Sequence, residues 1–128
     1  MNDSMIRDIS LAEEGLQRIR WVGKFMPALN ALKRDFINNQ ALKGKTIVMS
    51  IHLEAKTAYL ALTLQSAGAD VIVTGSNPLS TQDPIAAGLV NQGITVYAWH
   101  GCTDEEYTMF LNKALDPVSY THLTLPTN

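Results

Sequence analysis

The sequence predicts an α/β fold: N-terminal helices, then a three-stranded parallel, Rossmann-like sheet with flanking helices. Three observations carry this. Residues 46–51 (Thr-Ile-Val-Met-Ser-Ile), 70–74 (Asp-Val-Ile-Val-Thr) and 94–98 (Ile-Thr-Val-Tyr-Ala) are short and nearly continuously apolar, the pattern of strands covered on both faces. The stretches between them have helical length and punctuation. The links are short, so strand and helix alternate, which implies parallel strands joined by right-handed crossovers. The first strand is expected between the other two or beside the second, with helices on both faces.

The elements follow in order. Residues 11–24 have helical spacing, with Leu11, Gly15, Ile19 and Val22 near one face and Glu13, Arg18 and Arg20 off it. Ser10 with Glu13 has capping-box spacing. Pro27 suits the first turn of a second helix, to about residue 37, with Leu29, Leu32 and Phe36 inward and Asn38-Asn39-Gln40 closing it. Lys43-Gly44-Lys45 is a turn before the first strand. A helix over 57–67 ends at Gly68, a C′ glycine. Asp83 reads as an N-cap, with Pro84 at the first helical position of a helix ending at Gly93. Thr103 and Glu106 form a second capping box, opening a helix to about Leu115. No internal repeat is present.

At 128 residues the chain is large enough for one domain with a real core. Ten basic against twelve acidic side chains leave a charge of −2. No basic patch points to nucleic acid. No apolar run is long enough to span a bilayer. The N-terminus carries Asp3 and Asp8 and no apolar signal core. A single cysteine, Cys102, forms no internal disulfide and suits a reducing cytoplasm. No P-loop, Gly-x-Gly-x-x-Gly or Gly-x-Ser-x-Gly segment occurs, and the three histidines lack metal-ligand spacing.

Chemistry concentrates at two polar clusters, each just past an apolar run. The first is Ser50-Ile51-His52-Leu53-Glu54-Ala55-Lys56-Thr57-Ala58. The second is Gly75-Ser76-Asn77-Pro78-Leu79-Ser80-Thr81-Gln82-Asp83. Polar loops at the carboxyl ends of parallel strands are where open α/β sheets hold nucleotide-sized ligands. Each residue also has a plain structural reading. His52, as an imidazole, could move a proton on a sugar hydroxyl, or it could be a polar strand end bonded to backbone. Glu54 and Lys56 could face a base, or be a solvated helix start. Thr57, Asn77, Ser80, Thr81, Gln82 and Asp83 read mostly as caps and turns, with one or two touching ligand. Trp99 reads as a core or interface aromatic.

The wording of both clusters resembles the N-terminal part of S-adenosylhomocysteine hydrolases, in the bacterial and archaeal branch that carries His-Leu-Glu-Ala-Lys-Thr. The resemblance covers roughly residues 20–116. It includes Met26-Pro27, Val96-Tyr97-Ala98-Trp99 and Glu105-Glu106-Tyr107, and Ser80-Thr81-Gln82-Asp83 after Asn77 is its most specific piece. It implies the N-terminal part of a substrate-binding domain, residues 1–117. It also implies a parent enzyme that reversibly hydrolyses S-adenosyl-L-homocysteine to adenosine and homocysteine. NAD would oxidise the ribose, thiol would leave by elimination, and water would add. The resemblance makes His52 catalytic beside the ribose. It makes Glu54, Lys56, Thr57, Asn77, Ser80 and Gln82 substrate-binding. The parent would be a cytoplasmic homo-oligomer, a tetramer. NAD would bind a domain this chain does not contain, so no cofactor or turnover is expected of this polypeptide alone.

One departure matters for specificity. Glu54 and Lys56 stand where the eukaryotic-type pattern reads Thr and Glu. An ammonium can only donate a hydrogen bond, so Lys56 suits a 6-keto purine better than a 6-amino one. An inosyl substrate is therefore the alternative. Two other classes stay open: a non-catalytic α/β ligand-binding module, and an interaction fragment using the helices around Trp21 and Met26-Pro27. Residues 118–128 break the pattern. Val118 to Thr127 reads as the translation of a common transposon-derived sequencing adapter, so this tail is expected to be non-native, and His122 carries no weight.

Overall fold

The computed structural model describes residues 4–116. A 3-10 turn (Ile9–Leu11) leads into α1 (Ala12–Gly23) and α2 (Pro27–Asn39). Then come β1 (Thr46–Ile51), α3 (Ala55–Ser66), β2 (Asp70–Gly75), α4 (Asp83–Asn91), β3 (Thr95–Tyr97) and α5 (Asp104–Leu115). The tail expected to be non-native lies outside the described residues.

The three strands lie side by side in the order β1-β2-β3, all parallel. Of the two expected orders, this is the one with β1 beside β2. Val48 sits opposite Ile72, and Val73 opposite Val96. The far edge of β3 is bridged by Met5, whose N–H donates to the Val96 carbonyl at 2.8 Å. The Met5 carbonyl accepts from Ala98 N–H at 3.0 Å. One isolated residue has no periodicity, so nothing in the sequence pattern announced it.

Alternation along each strand sends neighbours to opposite faces. Met49, Val71, Val73 and Val96 join Ile19, Leu53, Ile85 and Leu89 in the main core, between the sheet and α1, α3 and α4. Val48, Ile72 and Tyr97 face the other way, onto Phe110 and Ala114 of α5. Fully burying a Leu, Ile or Val contributes about 1.5–3 kcal/mol, so the α1/α3/α4 face holds most of the fold's apolar stabilisation. Close approach makes this possible at one crossing. A Cβ on Gly15 of α1 would sit 1.7 Å from the Pro84 carbonyl oxygen of α4.

Four local expectations are corrected. Ser10 is not the cap of α1. Asp8 accepts from Ser10 N–H at 2.9 Å and starts the 3-10 turn instead. The third helix begins at Ala55, two residues early, because the Thr57 hydroxyl accepts from Glu54 N–H and donates to the His52 carbonyl. Asp83 is the first residue of α4 rather than its cap, and Gln82 holds the cap position. On α2, Leu29 and Phe36 are half-buried but Leu32 is 42% exposed. That helix packs mainly on α3 and buries no residue fully.

Candidate functional site

The sheet's carboxyl edge is organised by a short continuation beyond β1. Leu53, fully buried, pairs with the chain beyond β2. Its N–H donates to the Ser80 carbonyl at 2.8 Å, and its own carbonyl accepts from Gln82 N–H at 3.0 Å. Leu53 thus anchors the first polar cluster against the second, while His52 and Glu54 on either side of it remain exposed. A cleft of about 770 Å³ opens there. It is lined by Ser50, Ile51, His52, Glu54, Thr57, Ser76, Asn77 and Tyr107. That volume falls in the range of small-molecule sites.

Of the residues singled out by sequence, His52, Glu54, Thr57 and Asn77 meet in this cleft. His52 presents its imidazole free of hydrogen bonds among the described residues, while its carbonyl is held by Thr57. Thr57 is committed on two sides to the turn it closes. Asn77 Oδ1 accepts from Leu79 N–H at 2.8 Å, a turn role that leaves its amide nitrogen available as a donor.

Lys56, Ser80 and Gln82 are not among the lining residues. Lys56 is exposed on the first turn of α3. Ser80 is buried, and its hydroxyl accepts from the N–H groups of Ser76 (2.9 Å) and Asn77 (3.1 Å) while donating to the Asn77 carbonyl (2.9 Å). Those three bonds shape the loop. Gln82 contributes backbone: its N–H pairs with Leu53, and its carbonyl accepts from Ile85 and Ala86.

The back of the second loop is tied down by charge. Asp83 Oδ1 accepts from His100 N–H at 2.9 Å, and Asp83 Oδ2 lies 3.5 Å from Arg7 Nε. Arg7 also donates to the His100 carbonyl at 2.8 Å. His100 Nδ1 is 3.2 Å from the Thr81 carbonyl. A carbonyl only accepts, so the proton sits on Nδ1. His100 is therefore a brace for residues 81–83. Trp99 packs edge-on against Phe110, with ring centroids 4.6 Å apart.

Four lining residues were not singled out by sequence: Ser50, Ile51, Ser76 and Tyr107. Tyr107 donates to the Ser76 carbonyl at 2.9 Å, joining α5 to the loop after β2. The signal available for it was the Thr103–Glu106 capping box. That box forms in full and points the first turn of α5 at the sheet edge. Cys102 sits in the α5 core, where burial, then the charges of Glu106 and Asp104, push its thiol pKa up. That is the opposite of what a nucleophile needs. Among the described residues no cluster of three or more His, Cys, Asp or Glu could hold a metal ion. No helix there is long and apolar enough to cross a membrane.

Comparison with known proteins matches this arrangement to a family. The family model described as S-adenosyl-L-homocysteine hydrolase matches residues 3–125. An adenosylhomocysteinase of Pyrococcus abyssi is 50% identical over 115 residues, covering 90% of this chain and 27% of that protein. An S-inosyl-L-homocysteine hydrolase of Methanocaldococcus jannaschii is 51% identical over 111 residues, 87% of this chain and 27% of that protein. An adenosylhomocysteinase of Thermotoga maritima is 51% identical over 102 residues, 80% of this chain and 25% of that protein. The chain thus spans about a quarter of the length of these curated relatives. With the match running over nearly its whole length, the chain belongs to the S-adenosyl-L-homocysteine hydrolase family.

Proposed function

We propose that the cleft between residues 50–57 and 76–77 is the nucleoside end of a site for a purine nucleosidyl homocysteine. In this reading the chain is part of an enzyme that cleaves that thioether reversibly to nucleoside and homocysteine. The observation that carries the reading is the convergence of His52, Glu54, Thr57 and Asn77 on one cleft of suitable size. His52 is the group that moves a proton at a ribose hydroxyl, since its imidazole is exposed and unengaged and an imidazole can both give and take a proton. Glu54 accepts from the ligand, and Asn77 donates through its amide. Ser80 and Gln82 act through the backbone they shape.

Relatives named for adenosyl and for inosyl substrates match this chain equally well. The preference is assigned to the first turn of α3. Lys56, exposed there on a long flexible stem, is the donor that favours a 6-keto base. In such an enzyme NAD supplies reversible ribose oxidation; no Gly-x-Gly-x-x-Gly segment occurs among the residues given. None of the roles given to these residues passes through the cofactor. A homo-oligomeric, cytoplasmic parent completes the proposal.

The test is a chemical-shift titration of the 128-residue chain with adenosine and with inosine. Perturbations should centre on His52, Glu54, Thr57 and Asn77. Shifts scattered over the surface, or centred on the exposed Trp21 and Phe25, would refute the site.

A further inference from the structure

Ser76 carries a buried hydroxyl oxygen with no hydrogen-bond partner, the one such side-chain atom among the described residues. Its own backbone groups are both paired. Ser76 N–H donates to Ser80 Oγ at 2.9 Å, and the Ser76 carbonyl accepts from Tyr107 at 2.9 Å. The backbone is therefore held from both sides, and the side chain alone is uncommitted. A buried polar atom left unpaired is costly and unusual, and it calls for a reason. Ser76 also lines the cleft. A serine hydroxyl has three staggered positions, and rotation about one bond moves it among them without disturbing the backbone.

The cleft has two ends in terms of what forms them. His52, Glu54 and Thr57 come from the entry of α3. Ser76, Asn77 and Tyr107 come from the loop after β2 and from α5. The nucleoside reading uses the first group together with Asn77. Resting on that reading, we infer that Ser76 is a specificity-determining residue whose hydroxyl turns into the cleft. There it donates to the carboxylate of the amino-acid half of the ligand, with the Asn77 amide as its neighbouring donor. In the free chain the hydroxyl is held in reserve, and ligand supplies its missing partner.

This role has a signature that a merely structural serine lacks. Removing an unpaired buried hydroxyl relieves a penalty, so Ser76→Ala should leave the thermal midpoint of the free chain unchanged or raised. The same variant should weaken S-adenosyl-L-homocysteine about ten- to hundredfold, the worth of one hydrogen bond to a charged group. Adenosine, which lacks the amino-acid half, should lose less than about twofold on the same scale. The measurement is a shift titration of wild type and Ser76→Ala with both ligands, which remains readable at millimolar affinity, plus a melting curve of each free chain. Equal losses for both ligands would place Ser76 on the nucleoside and overturn the inference. So would unchanged affinity for both, or a lowered melting midpoint. If the wild-type chain binds neither ligand, the nucleoside site itself fails and this inference falls with it. If it binds both with no dependence on Ser76, the inference fails alone.

Discussion

Replacing Gly15 by alanine should separate two packed helices. The added methyl carbon would lie 1.7 Å from the Pro84 carbonyl oxygen and 2.5 Å from the Pro84 carbonyl carbon. Comfortable non-bonded separation is about 3.5 Å, so α1 and α4 must part by roughly 1.5–2 Å. Both obstacles are backbone, so no side-chain rotation relieves the clash. Overpacking of a well-filled core costs about 1–3 kcal/mol. Against this, alanine gains about 1 kcal/mol over glycine inside a helix. With backbone on both sides the clash wins, and Gly15→Ala should lose up to about 2 kcal/mol net. Gly88, facing the same crossing from α4, is the control. A Cβ there meets Leu16 N at 3.2 Å and the Gly15 carbonyl carbon at 3.3 Å, contacts a few tenths of an ångström too tight. Its clash and its propensity gain should nearly cancel. Urea midpoints of wild type, Gly15→Ala and Gly88→Ala decide the matter. A Gly15→Ala chain as stable as wild type, or a Gly88→Ala chain that suffers more, would refute the close crossing.

Three further outcomes follow. Ser80→Ala strips the partner from two loop N–H groups and should cost about 1–3 kcal/mol of stability; a neutral effect in urea melts would show that the hydroxyl does not shape the loop. The Cys102 thiol, its pKa raised by burial and by Glu106 and Asp104, favours the folded state through its protonated form. That contribution is present below the ordinary thiol value and is lost as pH rises toward the raised one; an ultraviolet thiolate titration with its inflection at or below the ordinary value would contradict the burial argument. In a full-length family enzyme carrying this segment, His52→Asn should lower kcat about 10²–10⁴-fold with KM little changed, and Lys56→Glu should move the kcat/KM ratio toward the adenosyl substrate; an unchanged kcat, or an equal loss for both substrates, would return these residues to structural roles.

The strands and all five helices were legible because their cues are local. Continuous β-branched runs mark β1 and β2. Gly68 and Gly93 stop α3 and α4 at φ of +97° and +88°, a conformation that suits glycine. Thr103 and Glu106 mark α5. What was not legible depends on competition or distance. Ser10 and Asp8 both offer a cap, and only three-dimensional placement selects Asp8. Leu32 has the right spacing to face inward, but α2 packs mainly on α3 and leaves that side open. The cleft's first wall could be read from the words around His52. Tyr107 could not, because its bond to Ser76 spans 31 residues. Ser80 could be read as a turn residue or a ligand contact because hydroxyls serve loops and ligands equally well; in the fold its hydroxyl makes three bonds to loop backbone.

The position of α5 has a consequence for any longer chain that contains this one. α3 and α4 cover one face of the sheet and carry the chain from β1 towards β3. α5 covers the opposite face. Crossovers of one hand that pass over opposite faces must step in opposite directions. A further parallel strand entered from α5 would therefore travel back past β2, already paired on both sides, and land against the outer edge of β1. Strand order would then reverse direction at β1. The crevice at such a topological switch point is where an open α/β sheet binds its ligand, and His52 sits on its rim. The cleft seen here would then be only one wall of a deeper pocket, with the second wall supplied by the loop that follows the incoming strand.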